Sequence, residues 1–164
     1  MASTDQRDLP GEDDFPRHLV AAAMLVTDRS GRTLLVANPN RQGLVLPGGA
    51  VDDGESPAEA AERELLEQVG LSLNVGRLLA VEHKPTGPAK ASGLLFVFDT
   101  ETVEDDVTLT LRADEQAEAQ WLHAGEAVER HTEGGHRRFA AAVQARTDGV
   151  TTCLDADLDL SGPR

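Results

Sequence analysis

The apolar positions of this chain fall into short runs with two different periods. "HLVAAAMLVTD" is a nearly continuous apolar run and reads as a buried strand. "RSGR" is a turn and "TLLVA" a second strand, so a hairpin is expected here. "NPNRQG" reads as a loop, and "LVLP" as a short strand feeding the pair Gly48 and Gly49. From Ser56 the period becomes helical. Ser56 is a good N-cap, Pro57 suits the first helical position, Glu59 completes a capping box, and Gly70 suits the position that ends the helix.

Beyond that helix a strand is expected over Gly76–Glu82, then a loop "PTGPAKASG", a strong strand "LLFVFDT" and a weaker one "VTLTL". "AEAQWLHAGE" predicts a strand ending at Trp121 and Leu122, then a helical turn from Gly125. "GGHRRFAAAVQARTDG" reads as a C-terminal helix with Phe139 and Val143 on one face. Strands gathered around one internal and one terminal helix indicate an α/β (α+β) sandwich. With no repeat and no linker, the expected organisation is a flexible arm at 1–16, one domain at 17–148 and an acidic tail at 149–164.

Composition narrows the function classes. The 164 residues suffice for one domain with a sizeable core. There are 29 acids against 15 Lys and Arg, a formal charge of −14. Non-specific nucleic-acid binding draws its affinity from neutralising phosphates, so a nucleic-acid scaffold is not an expected partner. An acidic enzyme acting on a phosphorylated small molecule remains open, because bound cations reverse the local field. Cys153 is the sole cysteine, which fits a reducing compartment. Its flanks carry no nucleophile signature, so an inert or partly buried thiol is expected. No signal-peptide core is visible, and the longest apolar run, Leu19 to Val26, is too short to span a bilayer. These points indicate a cytoplasmic protein away from membranes. Trp121 is expected in the core or at a strand edge, and Arg137 and Arg138 are expected to face solvent. "HTEGGH", with His131 and His136, is a poor zinc set because Cys153 is remote.

The chemistry concentrates in "GGAVDDGESPAEAAERELLEQVGL", Gly48 to Leu71. With Glu64 at zero on a helical wheel, Glu67 falls about 60° to one side and Gln68 about 40° to the other. Leu65 and Val69 point elsewhere, toward a core. Acids at this spacing are neighbours that repel unless a cation lies between them. They are either solvated surface or ligands of a hard ion, which binds through one or two carboxylates plus water and substrate phosphate. Glu55 can reach Arg63 only if the preceding loop folds back on the helix.

The same stretch resembles the signature of the Nudix hydrolases: a glycine, five residues, a glutamate, seven residues, then Arg-Glu, an aliphatic residue, any residue, Glu-Glu, any residue, a glycine and an aliphatic residue. Gly49, Glu55, Arg63, Glu64, Leu65, Glu67, Gly70 and Leu71 all fall on it. The single departure is Gln68, where the second glutamate of the Glu-Glu pair belongs. A softer likeness extends over most of the chain.

The resemblance implies an α/β/α sandwich with a mixed central sheet and the box as a loop–helix–loop. It implies cleavage of a nucleoside diphosphate linked to another group, with Mg²⁺ or Mn²⁺ as cofactor. Carried over, Glu64 and Glu67 are metal ligands, Glu64 also polarises water, Arg63 and Glu55 are the supporting pair, and Gly49 brings its backbone near the metal. Gln68 keeps a carbonyl oxygen for a cation but lacks a full charge. Opposite charges about 4 Å apart interact by roughly 4 kcal/mol at an effective dielectric near 20, so the substitution weakens the site. The alternative is a Nudix-fold nucleotide-binding or regulatory protein without turnover. Glu118, and next to it Glu115, are candidates for a further acid or base. Arg41, Lys84 and Lys90 are loop cations expected to meet substrate phosphates. Homodimerisation is expected by family analogy alone.

Overall fold

The computed structural model describes residues 17–37, 42–85, 92–112, 118–132 and 134–155. Residues 1–16, residues 38–41 of the "NPNRQG" loop and residues 86–91 of the "PTGPAKASG" loop lie outside them. In chain order the elements are β1 (Leu19–Leu25), β2 (Thr33–Ala37), β3 (Leu44–Val45), β4 (Gly48–Ala50), α1 (Pro57–Val69), β5 (Leu78–Lys84), β6 (Gly93–Asp99), β7 (Ala119–Leu122), α2 (Ala124–Arg130), α3 (Gly135–Asp148) and β8 (Thr152–Asp155).

Five strands form a mixed sheet in the order β4-β1-β6-β5-β8, and three form a second sheet in the order β3-β2-β7. In the larger sheet β1 runs parallel to β6, and β5 parallel to β8. The other two pairings, β1 with β4 and β5 with β6, are antiparallel. Alternation along β1 separates two cores. Ala22 and Met24 join Ala60, Ala61, Leu65 and Val69 of α1 in one. Leu25 joins Leu79, Val97, Ala127 of α2 and Phe139, Ala142 and Ala145 of α3 in the other. Successive strand residues point to opposite faces. The larger sheet therefore lies between α1 on one side and α2 with α3 on the other, the mixed α+β sandwich expected from the pattern.

The expected hairpin forms by an unexpected route. β1 and β2 belong to different sheets. The turn between them closes through Leu34 N donating to Val26 O at 3.0 Å and Asp28 N to Arg32 O at 3.0 Å. Asp28 then binds the Arg32 backbone and guanidinium at 2.8 and 2.7 Å. Trp121 is half-buried on β7, at the margin of the smaller sheet, opposite Leu34.

Several expectations need correction. "VTLTL" forms no strand: Val107 and Leu109 pack on the α1 core, but Thr110 N donates to Val69 O at 2.8 Å, the end of α1, instead of to a ladder. The alternating pattern recorded burial without a partner strand. The strand expected over Gly76–Glu82 runs from Leu78 to Lys84. The turn at Gly125 is a helix of seven residues starting at Ala124. The segment after residue 149 contributes β8, whose Leu154 is buried. Cys153 is exposed there, not partly buried, because strand alternation turns it away from Leu154. Arg138 is not a solvent-facing cation: it is largely buried and hydrogen-bonded to Glu82, itself buried in β5. A buried carboxylate requires such a partner. Among the described residues no helix is long and apolar enough to cross a membrane.

Candidate active site on the first helix

The site is assembled by a strand, a folded-back loop and one face of α1. β4 lies antiparallel to β1, with Gly49 opposite Ala22. The chain then turns through residues 51–55. Val51 N donates to Val20 O at 2.9 Å, and Asp52 and Glu55 bind each other reciprocally, Glu55 N to Asp52 O and Asp52 N to Glu55 Oε2, both at 3.1 Å. Ser56 caps α1 with the full capping box, Glu59 N to Ser56 Oγ at 3.2 Å and Ser56 N to Glu59 Oε2 at 2.8 Å. Gly70 ends the helix in the left-handed region at φ 72°, its N–H donating to Leu66 O at 2.9 Å. Leu65 and Val69 are fully buried, which aims Arg63, Glu64, Glu67 and Gln68 away from the core.

Arg63 is the hub of that face. Nε donates to Glu55 Oε1 at 2.8 Å, and Nη2 to Glu55 Oε2 at 2.9 Å and to Ala50 O at 3.0 Å. Nη1 donates to Glu64 Oε1 at 3.0 Å and lies 3.8 Å from Glu67 Oε2. One guanidinium thus ties the end of β4, the loop and both helix carboxylates together. Its hydrogen bonds to Glu55 and then Glu64 raise its own pKa. The Arg63 hydrogen bond, followed by the Asp52 backbone bond, holds the Glu55 carboxyl below the usual carboxylate range. Hydrogen bonds to the charged form account for both directions.

The Glu64 carboxylate is enclosed. A Cβ built on Gly49 would overlap it, so only glycine lets the strand backbone approach so closely. Gln68 closes the other side. Its Oε1 accepts from Gly48 N at 3.1 Å, and its Nε2 donates to Gly48 O at 2.9 Å and to Glu64 Oε2 at 3.0 Å. Glu67 is more open, with 42% of its side chain exposed, and Arg112 Nη1 stands 3.4 Å from its Oε2. Neither the Gln68 clamp nor the contribution of Ala50 O was read from the sequence. The i, i+4 spacing of Glu64 and Gln68 was a signal for the first, since an amide and a carboxylate so placed can bond along a helix.

Glu118 and Lys84 lie on other segments of the chain. Glu118 is exposed just before β7: its carboxylate accepts from the Gln120 amide and its backbone O from Ala37 N at 2.7 Å. Lys84 sits at the end of β5 with Nζ 3.9 Å from Glu82 Oε2. Arg41, Lys90 and Glu115 fall outside the described residues. A depression of about 560 Å³ flanks α1 and is lined by Glu55, Glu59, Glu62, Arg63 and Leu66. It borders the bracing pair; Glu64, Glu67 and Gln68 are not among its lining residues.

Among the described residues no group of three or more His, Cys, Asp or Glu side chains is placed to hold a metal. The residues nevertheless fit a hard divalent cation. Such an ion takes one or two carboxylates and completes its shell with water and substrate oxygens. Glu64, enclosed where a Cβ would otherwise sit, and the more exposed Glu67 would supply those carboxylates.

Comparison with known proteins identifies the family. The NUDIX domain family profile matches residues 16–143. A CMP-5'-(N-acetyl-N-hydroxy-3-aminopropyl)phosphonate hydrolase of Streptomyces rubellomurinus is 28% identical, covering 96% of this chain and 74% of its own. The human diphosphoinositol polyphosphate phosphohydrolase 3-alpha is 33% identical over 48% of this chain, and the match spans only 49% of the human protein. A MutT protein of Methanosarcina mazei has the same fold, with a TM-score of 0.64 at 21% identity over 82% of this chain and 96% of that one.

Proposed function

The chain belongs to the Nudix family, and from that premise we propose that it is a divalent-metal-dependent pyrophosphohydrolase of a nucleoside diphosphate joined to a second group. The observation that carries the reading is the Glu64 carboxylate, lodged where Gly49 leaves no room for a Cβ and braced by Arg63. The family generally uses divalent metals; Mg²⁺ or Mn²⁺, when bound, lowers the pKa of water and neutralises charge developing on phosphate. The protein residues have separate tasks. Glu64 and Glu67 are assigned as the carboxylate ligands, and Glu64 is assigned the task of polarising the attacking water. Arg63 and Glu55 keep the loop folded onto the helix, so that the strand backbone at Gly49 stays against Glu64. The relative matched over nearly the whole chain is named for a CMP-linked substrate, which favours a nucleotide moiety here.

A second reading, nucleotide binding without turnover, draws on Gln68, which replaces a charged group with a neutral one. Product release over nucleoside triphosphates, nucleotide sugars, ADP-ribose and dinucleotides, with Mg²⁺ and with Mn²⁺, separates the two. The expected outcome is turnover of at least one substrate and its loss in Glu64→Ala. Thermal stabilisation by a nucleotide with no turnover of any substrate would establish the second reading instead.

A further inference from the structure

The carboxamide of Gln68 is fully engaged, and its partners fix which way it points. Gly48 N–H needs an acceptor, while Gly48 O and Glu64 Oε2 both need donors. Only an amide with Oε1 toward the first and Nε2 toward the other two meets all three, at 3.1, 2.9 and 3.0 Å. A carboxylate could satisfy only the first. The two oxygens held by Nε2, one from a backbone carbonyl and one from a carboxylate, are of the hard type that divalent cations take. The remaining Glu64 oxygen, Oε1, already receives Arg63 Nη1 at 3.0 Å. Both Glu64 oxygens are therefore bonded by protein donors, whereas the Glu67 carboxylate is 42% exposed and meets Arg112 Nη1 through its Oε2, at 3.4 Å.

We propose that the Gln68 amide nitrogen occupies one cation position of this helix, bridging Gly48 O and Glu64 as a built-in neutral substitute, so that the chain holds one divalent ion fewer than it would with a carboxylate at position 68. Gln68 is then a positioning residue for Glu64 and not a weakened metal ligand. The inference rests on reading the helix face as a divalent-metal site. It places the working cation on the Glu67 side, within reach of the lone pairs that these two bonds leave over on Glu64, with substrate oxygens completing its shell.

The test counts Mn²⁺ bound per chain, by electron paramagnetic resonance titration without substrate, for wild type, Gln68→Glu and Gln68→Ala. Gln68→Glu is expected to bind one more Mn²⁺ than wild type. Gln68→Ala, which opens both oxygens without adding a charge, is expected to gain the same ion at least tenfold more weakly. Without metal, Gln68→Glu sets a third oxygen group against Gly48 O and Glu64, so its Tm should fall below wild type and recover with Mn²⁺. The same nonzero stoichiometry in all three proteins would overturn the proposal, because the amide would then be yielding to, or ligating, the ion. Mn²⁺ binding by none of them would overturn the metal reading of the helix itself. If Gln68→Glu fails to fold, Gln68→Ala decides between the same outcomes.

Discussion

Arg63 grips both oxygens of Glu55, Nε to Oε1 at 2.8 Å and Nη2 to Oε2 at 2.9 Å, across eight residues of chain. Such a fork fixes direction as well as distance, which a single ammonium cannot do. Arg63→Lys is expected to keep the charge and lose the fork, together with the bond to Ala50 O. Misplacing a catalytic group by about 1 Å can cost about 100-fold in rate, so kcat/KM should fall roughly 10- to 100-fold as the loop and Glu64 lose their brace. Steady-state kinetics on the substrate identified by the panel checks this, and wild-type rates in Arg63→Lys would show that the brace is dispensable.

Gly49→Ala is expected to displace the Glu64 carboxylate, because the new methyl group claims its place. A shift of about 1 Å in a catalytic group can cost about 100-fold in rate, so kcat should drop by that order. Circular dichroism should retain the helical signal, since α1 keeps its cap and its buried face.

Leu65 and Leu66 are neighbours in sequence and opposites in environment, the first at 0% exposure and the second at 52%. Leu65→Ala should cost about 2–5 kcal/mol of stability, the usual range for emptying a packed core site. Leu66→Ala should stay within about 0.5 kcal/mol. Urea unfolding of the pair measures the contrast, and equal losses would contradict the assignment of the α1 core face.

His131 gives the protein a specific acid sensitivity. Among the described residues neither buried ring nitrogen has a hydrogen-bond partner, and the ring lies 5.3 Å from Phe139. Burial, then the charges of Arg138 and His136, push its pKa down to about 4 from 6.5. Between those values the unfolded chain binds a proton that the folded chain does not, so stability rises with pH across that window and is lost as pH falls through it. Glu55 acts in a lower window: its carboxylate stabilises the fold above the ordinary 4.5 and loses that effect as pH falls further. Tm measured from pH 7 to pH 4 should therefore decline already above pH 5 in wild type. The decline there should be shallower in His131→Leu, and an unchanged slope would remove His131 as its source.

Much of this architecture was legible because it follows from local rules. The Ser56 cap, Pro57, Glu59 and Gly70 delimited α1 from the sequence, and the wheel put Leu65 and Val69 inward. The loop fold that lets Glu55 reach Arg63 was legible as a condition, and the structure meets it. What escaped were pairings between segments distant along the chain. "VTLTL" alternates like a strand, yet its backbone is satisfied by the end of α1. Arg138 read as a surface cation because Glu82, 56 residues earlier, is brought beneath it only by folding. Gln68 read as a lost charge because its partner Gly48 lies on another element, 20 residues away.

The four-residue strand β8 has a colloidal consequence. It covers the outer backbone groups of β5 from Ala80 to His83, in register with Thr152 through Asp155. An uncovered row of strand amides and carbonyls is a template for another chain, and short margins bearing charge are a common defence against it. Deleting residues from Thr152 onward would bare β5, so the cost of that deletion should show in the solubility of concentrated protein as well as in its melting temperature.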